Sequence, residues 1–197
     1  MIRIAVTGGI ACGKSTVGRY LADHGVAVCD ADRLAHSVMA PGTDVYERIA
    51  ARWGRGILGA DGAIDRARLG EIAFNDAGSR RELESIVHPE VERRWNLWIR
   101  ERCGEGQAVA AVLIPLLFEG GFEAAWDAVI CISATTALQV ARLTERGLTA
   151  QQARARLRAQ MPQGEKERRS DYVIVNVGSR ELLEQQNREV LRSILET

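Results

Sequence analysis

The 197-residue chain has little cysteine and little proline, four of each, and lysine only at positions 14 and 166 against 24 arginines. The cysteines, Cys12, Cys29, Cys103 and Cys131, lie far apart with no CxxC pair. That spacing argues against a zinc site and against a disulfide scaffold, so a reducing cytoplasm is the expected setting. No run of 18 apolar residues occurs, and Met1 leads straight into a strand-like pattern without the basic and apolar regions of an export signal. Neither a membrane span nor export is expected. An excess of one charge is missing too, because 26 basic and 26 acidic residues balance. No bulk positive field draws nucleic acid or anionic lipid, and any anionic ligand must be held by local geometry. Hydrophobic residues at 46% and charged residues at 26% are the proportions of a folded globular chain long enough to bury one core.

Five short apolar runs rich in β-formers stand out, at residues 2–7, 26–29, 108–114, 128–133 and 172–176. Each is too continuous for a half-exposed strand and suits the buried strands of a parallel sheet. Helical patterns separate them. Residues 14–24 place Val17, Tyr20 and Leu21 on one face, and residues 79–103 carry Leu83, Ile86, Val87, Val91, Trp95, Leu97, Trp98 and Ile99 at three-and-four spacing. The alternation predicts an α/β, doubly wound domain. Between the second and third strands, residues 30–107 are far more than one crossover helix needs, and predict a helical substrate-side insertion with a turn at 59–62. Residues 137–169, rich in arginine and glutamine and interrupted by Met161-Pro162-Gln163-Gly164, read as a helical flap.

The sharpest motif is Gly8-Gly9-Ile10-Ala11-Cys12-Gly13-Lys14-Ser15, which fits GxxxxGK[ST] at every fixed position and stands between a predicted strand and a predicted helix. Backbone N–H groups of such a loop converge on a concavity that attracts polyphosphate. Lys14 would reach the β and γ phosphates and Ser15 would ligate Mg²⁺. Gly8 and Gly9 are adjacent, so the GxGxxG order of a dinucleotide fold is absent. Cys12 lies near a helix amino terminus, a place that can lower a thiol pKa and make it reactive; the favoured reading is a small filler whose oxidation or alkylation would block phosphate binding.

Polar residues just after each strand mark the ligand edge of such a sheet. Asp30 and Asp32 follow the second strand as a possible proton acceptor or as caps of a helix beginning near Arg33. Glu119, after the third strand, is a site carboxylate or a helix-start residue. That strand does not end in the aspartate of a second nucleotide-binding motif, and no Asn-Lys-x-Asp sequence occurs. Both absences weaken the motor-ATPase and switch-GTPase readings. His88-Pro89 reads as a helix start, with His88 otherwise suited to hydrogen bonding a substrate phosphate or hydroxyl. The flap arginines, Arg142 and Arg156 among them, offer charged forks for polyphosphate. Interspersed acids and the scarcity of aromatics there disfavour nucleic acid.

Taken in order, Val6-Thr7-Gly8-Gly9-Ile10, Asp30-Ala31-Asp32, His88-Pro89, Pro115-Leu116-Leu117-Phe118-Glu119, and Gln160-Met161-Pro162 followed by Glu165-Lys166 resemble the dephospho-CoA kinases over nearly the whole chain. The resemblance implies ATP- and Mg²⁺-dependent phosphorylation of the ribose 3′-hydroxyl of dephospho-CoA, the last step of coenzyme A synthesis. It implies a P-loop kinase three-layer fold with a five-stranded parallel sheet in a single domain, 1–197. The core would be 1–31, 106–136 and 170–197, with a helical CoA subdomain at 32–105 and a lid at 137–169. Carried across by motif, Asp32 is the base and Lys14 acts with it. Gly8, Gly9, Ile10, Ala11, Cys12, Gly13, Lys14, Ser15, Thr16 and Arg142 hold ATP, Ser15 holds the metal, and Asp32, His88, Glu119 and Arg156 meet the acceptor. Ala11-Cys12 stands where Gly-Ser is usual, Gly147 replaces an aspartate, and Val175 precedes Asn176 where Asp-Asn is favoured. The competing expectations are another small-metabolite, nucleoside or nucleotide kinase, and a non-catalytic ATP-sensing module.

Overall fold

The computed structural model describes residues 1–196. The chain forms two compact units, one of Met1–Asp30 with the chain from Glu101 onward, the other of Ala31–Arg100. Its strands are β1 (Ile2–Gly8), β2 (Ala27–Asp30), β3 (Val109–Leu113), β4 (Ala128–Ser133) and β5 (Tyr172–Val175). Its helices are α1 (Lys14–Asp23), α2 (Ala31–Val38), α3 (Asp44–Trp53), α4 (Arg66–Asn75), α5 (Ala77–Gly104), α6 (Thr136–Glu145), α7 (Ala150–Arg158), α8 (Gln163–Arg168) and α9 (Arg180–Leu195).

In the first unit the five strands pair in the order β2-β3-β1-β4-β5, and every pairing is parallel. Each expected apolar run is a strand, with bounds that shift by at most one residue at either end. Successive side chains of β1 alternate between the two faces of the sheet. Ile4 and Val6 join Val17 and Leu21 of α1 and Leu183, Leu191 and Ile194 of α9 in one core. The opposite face is covered as well, since Ala5 and Thr7 are fully buried and α8 packs on β1 and β4. Because all strands run the same way, Gly8, Asp30, Leu113, Ser133 and Val175 end at one edge of the sheet.

Continuous burial fails at β5. Only Ile174 is buried there, whereas Val173 and Val175 are 39% and 42% exposed. β5 pairs with β4 alone, and its outer rim is blunted by Gln186, which accepts from the Val175 N–H at 2.9 Å and donates to its carbonyl at 3.0 Å.

The second unit is helical. α3 is capped by Thr43, whose hydroxyl accepts from the Tyr46 N–H, and α4 by Asp65, whose carboxylate accepts from the Ala67 and Arg68 N–H groups. The expected turn forms between them, with the Gly62 N–H donating to the Gly59 carbonyl at 3.1 Å. Two boundaries differ from the sequence reading. α2 starts at Ala31, directly after β2, so Asp32 lies inside its first turn rather than capping a later helix. His88-Pro89 is not a helix start, because Pro89 stands inside the 28-residue α5. Pro89 has no N–H to offer the Ser85 carbonyl. The buried stripe Ile86, Val87, Val91, Trp95 and Ile99 continues through it, and packing of that stripe outweighs one missing bond.

Candidate active site

The loop between β1 and α1 is held by side chains from distant parts of the first unit. Lys14 curls back, its Nζ donating to the carbonyls of Gly8 at 2.7 Å and Gly9 at 3.0 Å. Gly13 caps α1 with φ of 104°, a left-handed conformation that glycine adopts without penalty. Asn176, just past β5, donates from Nδ2 to the Cys12 carbonyl at 2.8 Å. A Cβ on Gly13 would stand 2.2 Å from that amide, so the turn and the contact both require glycine. Among the described residues Ala11 is the non-glycine with positive φ, at 59°, a conformation that costs an alanine about 1 kcal/mol. Arg142 of α6 helps hold it there, donating from Nη1 to the Ala11 carbonyl at 3.0 Å and from Nη2 to the Asn176 carbonyl at 3.1 Å.

Cys12 takes the filler place expected of it, and its reactive-thiol alternative falls away. It is fully buried, and burial pushes its thiol pKa up against the pull of Lys14. Desolvation of a thiolate inside the fold outweighs the helix terminus. Its place is that of a filler, with Sγ accepting from Gln139 Nε2 at 3.2 Å. Ser15 and Thr16 are exposed at the start of α1, so their hydroxyls are open to a ligand.

Glu119 lies in the turn after β3, and no helix begins there, which removes its helix-start reading. Its Oε1 accepts from Lys166 Nζ at 2.7 Å and from the Met161 N–H at 3.0 Å. Lys166 of α8 is fully buried and also donates to the Pro115 carbonyl at 2.9 Å. The pair therefore fastens α8 to the carboxyl edge of the sheet, and this part of the expected flap is packed structure. Arg156 is exposed on α7. Asp30 closes β2 at the ligand edge, and exposed Asp32 follows two residues later on α2. His88 is partly buried in the second unit, and that burial lowers its pKa against the pull of Glu84, which favours the neutral imidazole.

Residues to which the sequence reading gave no role do much of the holding. Gln139 donates from Nε2 to the Ile10 carbonyl at 2.8 Å, Gln160 accepts from the Ile10 N–H at 2.8 Å, and Gln163 accepts from the Gly9 N–H at 2.9 Å. Their partners lie 129, 150 and 154 residues away in sequence, so no local pattern marks them. Lys166 did carry a signal, as one of two lysines in an arginine-rich chain.

The arrangement is a glycine-bearing turn at the carboxyl edge of a parallel sheet, running into a helix amino terminus with a lysine beside it. Such an arrangement can bind a polyphosphate and stabilise charge on a transferring phosphoryl group. Comparison with known proteins agrees. The dephospho-CoA kinase family matches residues 2–181. The chain is 42% identical to a curated dephospho-CoA kinase of Geobacillus kaustophilus over 97% of its own length and 96% of the relative's. Among solved structures it superposes on TT1252 from Thermus thermophilus with a TM-score of 0.80 at 36% identity, covering 98% of this chain and 97% of that one. It superposes on a dephospho-CoA kinase from Campylobacter jejuni with a TM-score of 0.71 at 31% identity, covering 98% and 96%.

Proposed function

The chain belongs to the dephospho-CoA kinase family, ATP-dependent phosphotransferases of the last step of coenzyme A synthesis, and we propose that its Gly8–Thr16 loop holds ATP while Asp32 serves the acceptor. In this reading the amides of the loop and the α1 terminus bind the polyphosphate, and Lys14 leaves the Gly8 and Gly9 carbonyls to meet the β and γ oxygens. Asp32 orients the ribose 3′-hydroxyl of dephospho-CoA and takes its proton as the oxygen attacks the γ-phosphorus in line, giving coenzyme A and ADP. Arg142 and Arg156 add positive charge as the γ-phosphoryl group transfers, and neutral His88 offers the acceptor a hydrogen bond. Glu119 serves the same edge by holding Lys166.

Mg²⁺ fits this donor set. Among the described residues no group of three or more His, Cys, Asp or Glu is placed to hold a metal ion. The exposed hydroxyl on Ser15 is the hard oxygen that this ion accepts alongside phosphate and water. Ser15 would hold it, and the ion would supply charge neutralisation to the bound polyphosphate.

The observation that carries the reading is the lysine-bearing loop at the carboxyl edge, in a chain that matches the family from residue 2 to 181. The substrates are small molecules, ATP and dephospho-CoA, and no helix among the described residues is long and apolar enough to cross a membrane. Four free cysteines support a reducing, cytoplasmic setting. We further assign residues 32–105 to the acceptor, supported by the separate compactness of Ala31–Arg100, and the lid expected at 137–169 to its exposed part around Arg156 on α7, since Lys166 packs α8 against the sheet.

Asp32→Ala tests the assignment of the base. Its kcat is expected to fall about a hundredfold with little change in the KM for ATP. A variant with the wild-type kcat would remove Asp32 from that role. Tight ATP binding without transfer to dephospho-CoA or to any nucleoside or nucleotide acceptor would instead favour the sensing module.

A further inference from the structure

We propose that Gln139, with Gln160 and Gln163, is a positioning residue that sets the peptide planes of the phosphate loop for ATP, an inference that rests on the loop being the ATP site. A trans peptide points each carbonyl and the following N–H in opposite directions. Gripping the carbonyls of a turn from behind therefore aims its amides forward. Three side chains grip successive carbonyls here, Gln139 at Ile10 (2.8 Å), Arg142 at Ala11 (3.0 Å) and Asn176 at Cys12 (2.8 Å). The amides turned the other way belong to Ala11, Cys12 and Gly13; that of Cys12 donates to the Gly9 carbonyl at 3.3 Å and closes the turn, which leaves those of Ala11 and Gly13 as the donors of an anion nest.

The two preceding amides are treated oppositely. The N–H groups of Gly9 and Ile10 donate to Gln163 and Gln160 at 2.9 and 2.8 Å, which fixes where the nest begins. The glutamines crowd this end closely, since a Cβ on Gly9 would lie 2.6 Å from Gln139 Nε2 and 2.8 Å from Gln163 Oε1. Gln163 is held in turn, its Nε2 donating to the Ile132 carbonyl and to Glu167 at 3.3 Å each.

Gln139 is the telling residue because it is only 3% exposed. It shares the inner side of α6 with Leu143, and a leucine there would bury the same volume without desolvating an amide. What the amide adds is the hold on Ile10 and the contact with Cys12 Sγ at 3.2 Å.

The test is Gln139→Leu, which keeps the volume and removes the donor, and Gln160→Ala, which releases only the Ile10 N–H. Both are assayed by steady-state kinetics and by calorimetric titration with MgATP, alongside thermal unfolding. Gln139→Leu should raise both the KM and the dissociation constant for ATP about tenfold, and Gln160→Ala about threefold, with the KM for dephospho-CoA within twofold of wild type. A purely structural glutamine would lower Tm and leave the affinity of the folded fraction for ATP untouched, which overturns the proposal. Should Gln139→Leu not fold, the ATP affinity of Gln160→Ala decides alone. A wild-type protein that binds ATP but makes no coenzyme A defeats the kinase reading, and the titration of the variants still decides the positioning role.

Discussion

Replacing Lys166 by methionine removes the ammonium from a fully buried position while filling its volume. The loss is the ion pair to Glu119 at 2.7 Å and the hydrogen bond to the Pro115 carbonyl at 2.9 Å. Glu119 is left with the Met161 N–H at 3.0 Å and a side chain 23% exposed. Breaking a buried pair by deleting one partner costs about 3–5 kcal/mol. The remaining contact of Glu119 with water puts this case at the low end, about 3 kcal/mol. For a chain of this size each kcal/mol moves Tm by about 2–4 °C, so a fall of about 6–12 °C is expected. Thermal and urea unfolding of the purified variants measure it. Lys166→Met with Glu119→Gln should recover part of the loss, because the double variant no longer strands a carboxylate. A fall below about 2 °C, or strict additivity in the double variant, would show that the pair holds nothing together.

Lys14→Ala removes the one lysine beside the loop and should lower kcat by at least about a hundredfold in steady-state assays; a variant within tenfold of wild type would contradict the charge-neutralising role. Cys103 is the exposed thiol, while Cys12, Cys29 and Cys131 are buried and burial raises all three, the latter two to about 11. Mass spectrometry after brief iodoacetamide treatment of the native protein should therefore find Cys103 alkylated and the other three unmodified until unfolding, and prompt labelling of Cys12 would refute its burial. Arg93 and Arg94 hold the Glu90 carboxylate down to about 2 from an ordinary 4.5. Its lowered pKa gives support that is complete above 4.5 and fades as pH falls from there toward 2. Acid unfolding should accordingly be steeper for wild type than for Glu90→Gln across that window, and equal slopes would contradict the pairing.

Much of this architecture is legible from residue order because it is local. Apolar runs specify β1 to β4 within one residue at each end, since strands of a sheet covered on both faces are mostly apolar, and Arg3 and Thr7 leave the pattern of β1 readable. The phosphate loop is legible for the same reason, as eight consecutive residues carry its geometry. The misreadings arise where distant contacts decide. Val173 and Val175 look like core residues, but only the strand order shows that β5 ends the sheet. Pro89 looks like a helix start, but the stripe from Ile86 to Ile99 carries α5 through it. Cys12 is readable as a filler, but the direction of its thiol pKa depends on burial that the helix terminus beside it does not show. Gln139, Gln160, Gln163 and Asn176 were illegible as loop-holding groups, because a polar side chain in a helical or loop stretch normally faces water and their partners lie more than a hundred residues off.

The most direct test of the central claim is ADP release by the purified protein with MgATP, measured with and without dephospho-CoA, together with the mass of the product and the position of its new phosphate. ADP should form in step with the acceptor, one for one, and the phosphate should sit on the ribose 3′-hydroxyl. ADP released at the same rate without acceptor, or a folded, ATP-binding protein that yields no coenzyme A, would contradict the account.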